Sequence, residues 1–254
     1  MPGKNGVLVV TGGSRGIGAA TSLLAAERGY GVIVNYANDV AAAEQVVAAI
    51  HIKGGEAVAV RGDVSKPEDV EHIFAAADRL GSLSALVNNA GIGGAPQTIA
   101  GLTPERIAKI FAINVTGSFL CAAAAVKRLS TKSGGKGGAI VNITSAAARL
   151  GGANTYLDYA ASKGAIDTFT VGLALEVAGE GIRVNAVRPG IIDTDFHSMS
   201  GEPDRAQRLS AVVPMARPGT SEETANAIIW LLSGEASYVT GSILDVTGGR
   251  GVFG

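Results

Sequence analysis

Tyr159 and Lys163, four positions apart, carry the strongest chemical signal in this 254-residue chain. On a helix, residues at that spacing share a face. A phenol with a pKa near 10 is a poor base at neutral pH, but a neighbouring ammonium favours its ionised form and makes proton exchange with an alcohol or carbonyl feasible. Taken alone, the pair also fits a solvated helix surface. Asn142-Ile143-Thr144-Ser145 brings hydroxyls to the end of the preceding strand, where they could orient a carbonyl oxygen. Near the start of the chain, Thr11-Gly12-Gly13-Ser14-Arg15-Gly16-Ile17-Gly18 follows an apolar run and opens a helical pattern. Glycines there allow a tight turn and close approach of a pyrophosphate, to which the helix N-terminus offers unpaired N–H groups. The glycines are spaced by three residues and then one, unlike G-x-G-x-x-G. A second cluster, Ser133-Gly134-Gly135-Lys136-Gly137-Gly138, is read as a plain loop, because its lysine is followed by Gly and no Mg²⁺-binding hydroxyl sits there.

These residues need a frame to bring them together. Short, nearly continuous apolar runs at Val7–Val10, Val32–Asn35, Ala57–Arg61, Ala85–Asn88, Ala139–Thr144, Arg183–Val187 and Ser242–Val246 read as strands covered on both faces. Ala-rich stretches of helical period lie between them, near 16–28, 39–53, 66–80, 103–130, 155–179 and 221–233. Ser65 with Glu68 and Thr220 with Glu223 fit capping boxes, and Thr103-Pro104 places proline at a first helical position. The alternation predicts an α/β protein: a single doubly wound Rossmann fold over 1–254, with a seven-stranded parallel sheet and helices on both faces. Asp193 to Pro214 has no clear period and follows a strand on the edge where such sheets place ligands, so it reads as a substrate lid.

Composition excludes several classes. With 21 basic and 22 acidic residues the net charge is −1, so no broad field favours nucleic acid or a membrane surface. The lone Cys121 excludes an internal disulfide, and Met1 to Gly6 is polar with only the short Val7–Val10 run behind it, so no signal segment is expected. No 18 uninterrupted apolar residues occur. The expectation is a cytoplasmic protein. His51, His72 and His197 lack metal-ligand spacing, so no metal site is expected. His51 and His72 read as solvated, and His197 sits in the lid. Cys121 reads as a small core or interface residue, and Trp230 as packing of the last helix.

With these residues in this order, the chain resembles the classical short-chain dehydrogenase/reductase family over essentially its whole length, and within it members of the 3-oxoacyl-ACP reductase and glucose 1-dehydrogenase kind. Thr11-Gly12-x-x-x-Gly16-x-Gly18 matches the cofactor turn, Asp63-Val64 the adenine-contacting pair, and Asn88-Asn89-Ala90-Gly91 the motif after the fourth strand. Asn114-Val115, Ser145, Tyr159-x-x-x-Lys163 and Pro189-Gly190 with Thr194 match the asparagine, serine, tyrosine–lysine and nicotinamide-side motifs. The resemblance implies Tyr159 as general acid in reduction and base in oxidation, and Lys163 lowering its pKa and holding the nicotinamide ribose. It also implies Ser145 bonding the substrate oxygen and Asn114 positioning a water that links Lys163 to solvent. Cofactor contacts are expected from Gly12, Ser14, Arg15, Gly16, Ile17 and Gly18; from Asn35, Tyr36, Asp63 and Val64; and from Asn89, Ala90 and Gly91. Tyr159, Lys163, Pro189, Gly190, Ile192 and Thr194 complete that set. Ser145 and Tyr159 are fourteen positions apart where many relatives have thirteen, consistent with one extra residue in the Arg149–Leu157 loop. Thr144 is the other hydroxyl, and Tyr156 is a decoy for the base because Ala160 lies four residues on.

The second strand ends Val34-Asn35-Tyr36-Ala37 without the carboxylate that an NAD enzyme places there for the ribose 2′-OH. Arg15 could pair with a 2′-phosphate, and Asp39, 21 residues past Gly18, more naturally caps the next helix. NADP is therefore expected, with NAD as the alternative. The partner is a small-molecule carbonyl or alcohol whose identity the sequence does not choose, because Arg205 and Arg208 in the lid are too few to call for an acyl-carrier arm. Relatives pair helices like 103–130 and 155–179 and use a C-terminal segment like Tyr238–Val246 to build tetramers, so a homotetramer is implied. Two rivals remain: an NAD-dependent sugar dehydrogenase, and a non-catalytic nucleotide-binding relative, which would be expected to have lost Tyr159, Lys163 or Ser145. An epimerase or dehydratase would need a longer C-terminal substrate domain.

Overall fold

The computed structural model describes residues 4–194 and 204–251. Seven parallel strands form one sheet in the order β3-β2-β1-β4-β5-β6-β7. They are β1 (Val7–Val10), β2 (Gly31–Tyr36), β3 (Glu56–Arg61), β4 (Leu83–Asn88), β5 (Gly138–Ile143), β6 (Ile182–Pro189) and β7 (Ile243–Val246). Each apolar run became a strand, with no end shifted by more than two residues. The order reverses between β1 and β4, which opens a crevice at the carboxyl ends of those strands.

The helices are α1 (Gly16–Glu27), α2 (Val40–Ile52), α3 (Pro67–Leu80), α4 (Pro104–Phe111), α5 (Gly117–Leu129), α6 (Ala147–Leu150), α7 (Leu157–Val177), α8 (Arg205–Arg208) and α9 (Ser221–Leu232). Two cores lie on opposite faces of the sheet. Ala25 of α1, Val46 and Ile50 of α2 and Ile228 of α9 pack on one face with Val32, Val34 and Val141. Phe74 of α3, Cys121 and Leu129 of α5 and Val177 of α7 pack on the other with Ile33, Leu86 and Ile140. Cys121 is wholly buried, and burial pushes its thiol up to about 12, so it is core rather than chemistry.

Capping follows the sequence in two places of three. Thr103 accepts from the Arg106 N–H with Pro104 behind it, and Thr220 forms a full box with Glu223. Ser65 does not cap α3. Its hydroxyl donates to Asp63, and Lys66 holds the N-cap position before Pro67. The carboxylate two residues away is a closer acceptor than the helix N–H groups are donors. Trp230 is also corrected: it is 38% exposed while Ile228, Ile229, Leu231 and Leu232 of the same helix are buried.

The helix expected over 103–130 is broken. Ala112–Thr116 is a π-helical turn between α4 and α5, and Asn114 lies inside it. Pro104–Leu129 has the length and apolar composition of a membrane-crossing helix. Here α5 lies against β4 and α3, and Gly117 brings it so close that a Cβ there would meet Val64 Cγ2 at 2.6 Å. Of the expected lid, 195–203 lies outside the described residues, His197 with it. The remainder folds back: Ala206 and Val213 pack on Ile191 with Leu209 beside them.

Candidate active site

The glycine turn depends on bare backbone. Gly12 and Gly16 have positive φ, and a Cβ on Gly18 would lie 2.2 Å from the Gly12 carbonyl oxygen. No other residue allows α1 to start this close to the turn. Two side chains that touch no solvent tie the turn down. Asn35 accepts from the Gly12 N–H and donates to the Val60 and Gly62 carbonyls, while Thr11 Oγ1 accepts from the Asn89 and Ala90 N–H groups. Asn89 in turn donates to the Thr11 and Gly12 carbonyls. Asn35, 1% exposed with both amide hydrogens committed to backbone carbonyls, shapes the turn from inside the core. Thr11 was not singled out as a site residue, although its place at the head of the motif marks it.

Ser14, Ile17 and Tyr36 are half-buried around the same crevice. Thr194 closes it from the far side, its Cγ2 lying 3.3 Å from where a Gly16 Cβ would stand. Pro189 accepts from the Ala146 N–H, Gly190 lets β6 cross Thr247, where a Cβ would come within 2.7 Å of its Cα, and Ile192 bridges to Gly219. Asp63 is held ionised by the Ser65 hydroxyl and N–H against the opposing effect of burial, and Val64 is buried beside α5. Every element of the predicted cofactor set therefore converges on the carboxyl edge of the sheet. At the adenine end a new residue appears. Arg61, at the tip of β3, donates to the Ala37 carbonyl, and Arg15 pairs with Asp39, whose carboxylate also caps α2 through the Ala42 N–H. Two guanidinium groups thus flank the tip of β2. Nothing local distinguishes Arg61 in the sequence; the pairing of Tyr36 with Arg61 across β2 and β3 puts it there.

Tyr159 and Lys163 are not a surface pair. Lys163 is 4% exposed, its Nζ donates to the Ile143 carbonyl at 2.7 Å, and it lies 5.7 Å from the centre of the Tyr159 ring. The Ser145 hydroxyl bonds the Tyr159 phenol. Thr144 is excluded as the substrate-facing hydroxyl, because its Oγ1 is spent on the Lys163 carbonyl at 3.0 Å. Asn114 sits behind them with its Nδ2 on Ile92 O and Ser162 Oγ, and its Oδ1 on the Ile92 N–H. The π-helical turn makes this possible by aiming one side chain off the helix's regular face. Gly91 is open by necessity: a Cβ there would lie 3.4 Å from both Lys163 Nζ and Asn114 Oδ1. The extra residue between Ser145 and Tyr159 is absorbed in a left-handed stretch, with positive φ at Gly151, Gly152 and Asn154. Tyr156 packs under Arg205 with the guanidinium carbon 4.6 Å from its ring centre, away from the role of base.

Electrostatics correct one expectation. Burial pushes the Tyr159 phenol above its ordinary value, and the Ser145 hydrogen bond offsets only part of that. Burial also depresses Lys163 to about 8, against the charge of Asp167 one turn further along α7. Desolvation is the leading influence on both groups, and it moves the phenol up and the ammonium down. Asp167 belongs to a chain of charges: Arg188, its side chain 5% exposed, donates to Asp167 at 2.7 Å and to Asp245 at 2.9 Å, and Arg149 reaches Asp245. A second bridge, Arg106 to Asp158, locks α4 against the first turn of α7 beside Tyr159. Asp167 was legible as a residue four after Lys163; its arginine, from another strand, was not. A cavity of about 880 Å³ lies at the opposite edge of the sheet around Tyr30, Arg183 and Tyr238 and takes no part in this site.

The depressed Lys163 sets a pH dependence of stability. Below about pH 8 the lysine is charged in both folded and unfolded chains, and the cost of burying it is fully present. Between pH 8 and the ordinary value of 10.5 the folded chain releases the proton first, so stability rises with pH. Relative to Lys163→Met, the wild type should gain about 3 kcal/mol between pH 7 and pH 10.5 in urea unfolding. Parallel pH profiles for the two proteins would refute this.

A family model described as enoyl-(acyl carrier protein) reductase matches residues 12–250. The chain is 54% identical over 245 residues to the uncharacterized oxidoreductase YgfF of Escherichia coli (strain K12), covering 96% of this chain and 99% of that protein. It is 39% identical over 250 residues to a 3-oxoacyl-[acyl-carrier-protein] reductase of Synechocystis sp. (strain ATCC 27184 / PCC 6803 / Kazusa), covering 97% of each. A solved 3-ketoacyl-(acyl-carrier-protein) reductase from Brucella melitensis complexed with NADH superposes with a TM-score of 0.89 at 32% identity, over 97% of this chain and 98% of that one. With this fold and these motifs brought to one crevice, the chain belongs to the short-chain dehydrogenase/reductase family, nicotinamide-dependent oxidoreductases that act on CH–OH groups.

Proposed function

We propose that the protein is an NADP-dependent oxidoreductase that interconverts a carbonyl and a secondary alcohol, with Tyr159 as the general acid and base. The observation that carries this reading is the set of half-buried phenol and hydroxyl and buried ammonium formed by Tyr159, Ser145 and Lys163. Bound nicotinamide supplies or accepts the hydride. Gly12, Gly16 and Gly91 leave the bare backbone such a group needs, so the residues present fit it. A neutral phenol is the form that gives a proton to a developing alkoxide in carbonyl reduction, and burial keeps Tyr159 in that form. Ser145 donates to the same oxygen. Lys163 holds the ribose hydroxyls, and Asn114 keeps a water between Lys163 and solvent for re-protonation.

Arg15 and Arg61 flanking the tip of β2 support NADP, because two guanidinium groups can share a 2′-phosphate. Asp39 pulls the other way: it lies in reach of Arg15 and would accept from a ribose 2′-OH if Arg15 turned aside, and the Brucella melitensis relative was solved with NADH. The capping bond to the Ala42 N–H occupies one oxygen of Asp39 and weights the choice toward NADP. A homotetramer is also proposed. Phe119 of α5, stacked on Phe169 at 3.8 Å, and Val171 and Leu175 of α7 leave an exposed apolar strip, with Leu175 81% exposed. The cytoplasm, with its pool of nicotinamide dinucleotides, is the proposed compartment.

Three measurements test these readings. Tyr159→Phe should lower kcat for ketone reduction by about 10²–10⁴-fold while retaining NADPH binding, and a near-wild-type kcat would overturn the assignment. kcat/KM should be higher with NADPH than with NADH, and Arg15→Ala should narrow that ratio. A higher value with NADH would transfer the adenine-ribose contact to Asp39. Light scattering at micromolar concentration should give four times the chain mass, and Leu175→Glu should reduce it. A monomer mass for the wild type would sink the tetramer.

A further inference from the structure

The substrate side of the crevice carries a charge that no described residue neutralises. Arg250 is half-buried, and among the described residues its guanidinium has no hydrogen-bond or ion-pair partner, while its backbone N–H donates to the Thr247 carbonyl. Its neighbours fix its place. A Cβ on Gly251 would pack on Leu150 at 3.6 Å, one on Gly249 on Pro214 at 3.0 Å, and one on Gly248 on Val213 at 2.8 Å. The segment therefore runs between the end of the lid and the loop that leads into Tyr156. Arg205 reaches the same place from α8, stacked on the Tyr156 ring and donating to its hydroxyl at 3.3 Å. Tyr156 is the N-cap of α7, and Tyr159 lies in the first turn of that helix, so this basic corner stands at the helix end that carries the phenol.

Two guanidinium groups do not gather in a partly dry corner without cost. Burial, and then the like charge of Arg205, hold Arg250 below its ordinary value. The buried Arg188 shows the contrast with Arg250, because it meets two carboxylates, Asp167 and Asp245. An arginine desolvated beside another cation is a fork whose partner arrives from solution, and a planar carboxylate is the anion that satisfies such a fork with two parallel bonds. The aromatic ring under Arg205 fixes one fork in orientation before the ligand arrives.

We propose that Arg250 and Arg205 bind the carboxylate of a small oxo acid or hydroxy acid, holding its carbonyl or alcohol carbon at Tyr159. This rests on the reading of Tyr159 as acid and base. It also separates this protein from enzymes of neutral sugars or steroids, whose substrates would leave the corner unpaired.

The test compares 4-oxopentanoate with its uncharged amide, 4-oxopentanamide, as substrates of the full-length enzyme with NADPH. The wild type should prefer the acid by roughly ten- to a hundredfold in kcat/KM, carried by KM. Arg250→Ala should collapse that ratio toward one, and Arg250→Lys should restore part of it. A wild-type ratio near one, or a ratio unchanged in Arg250→Ala, would overturn the proposal. Should Arg250→Ala fold poorly, Arg250→Gln serves the same comparison, and the wild-type ratio stands by itself. Calorimetry of 4-oxopentanoate against the NADPH complex separates this proposal from the Tyr159 reading. Binding that Arg250→Ala abolishes supports the carboxylate corner even without turnover, and equal or absent binding overturns it. Loss of turnover of every ketone would count against Tyr159 alone.

Discussion

The ammonium of Lys163 is withdrawn from water, and most of the site is arranged around that fact. A buried cation in a protein interior costs several kcal/mol unless acceptors surround it. Here the Ile143 carbonyl takes one bond directly, and Asp167 supplies a carboxylate one turn away on the same helix. Arg188, itself buried between Asp167 and Asp245, keeps that carboxylate in place. The charge therefore rests on a relay that runs from α7 through β6 to β7. Gly91 is kept without a side chain because any Cβ would press on the same ammonium and on Asn114. An apolar residue at 163 would pack with less strain, so the lysine is retained at a cost in stability, as expected of a group kept for function.

The register of α7 against the sheet is the second requirement, since a shift of one residue would turn Tyr159 away from Ser145. Polar bonds inside the core fix it. Asn88 of β4 donates to Asn142 of the neighbouring β5, Asn142 donates to Thr170 of α7 at 2.9 Å, and Thr144 donates to the Lys163 carbonyl. Apolar packing alone tolerates sliding, whereas a buried amide or hydroxyl without its partner is penalised by a few kcal/mol. The bridge of Arg106 to Asp158 performs the same task from the other side of the helix, and Gly94 leaves the space its guanidinium fills. Catalytic geometry and fold specificity thus share one set of bonds.

The adenine end and the substrate end differ in how their positive charges are handled. Arg15 and Arg61 are exposed and tied to Asp39 and to the Ala37 carbonyl, contacts that can be exchanged for a phosphate at little cost. Arg250 is half-buried and makes no ion pair among the described residues, so its charge is more strongly felt by whatever enters beside it.

By itself the sequence determined the layered fold, the parallel sheet, the glycine turn and the placing of Tyr159 and Lys163 on one helix. Those features are local: strands covered on both faces read as continuous apolar runs, and a turn that admits no Cβ can be written only in glycine. The helix over 103–130 looked unbroken because a π-helical turn adds one residue to a helix without changing its apolar composition, and only the packed structure revealed Asn114 turned inward. The Ser65 cap failed because Asp63 competed for the hydroxyl, and Trp230 lay outward because the rest of α9 fills its side of the core. The rise of the Tyr159 pKa, the partners of Asp167, and the meeting of Arg61 with Arg15 and of Arg250 with Arg205 were decided by tertiary structure alone. Each depends on which strand ends and loops lie side by side and on how much water remains between them. Residues far apart in the chain carry no sign of either until the sheet has closed.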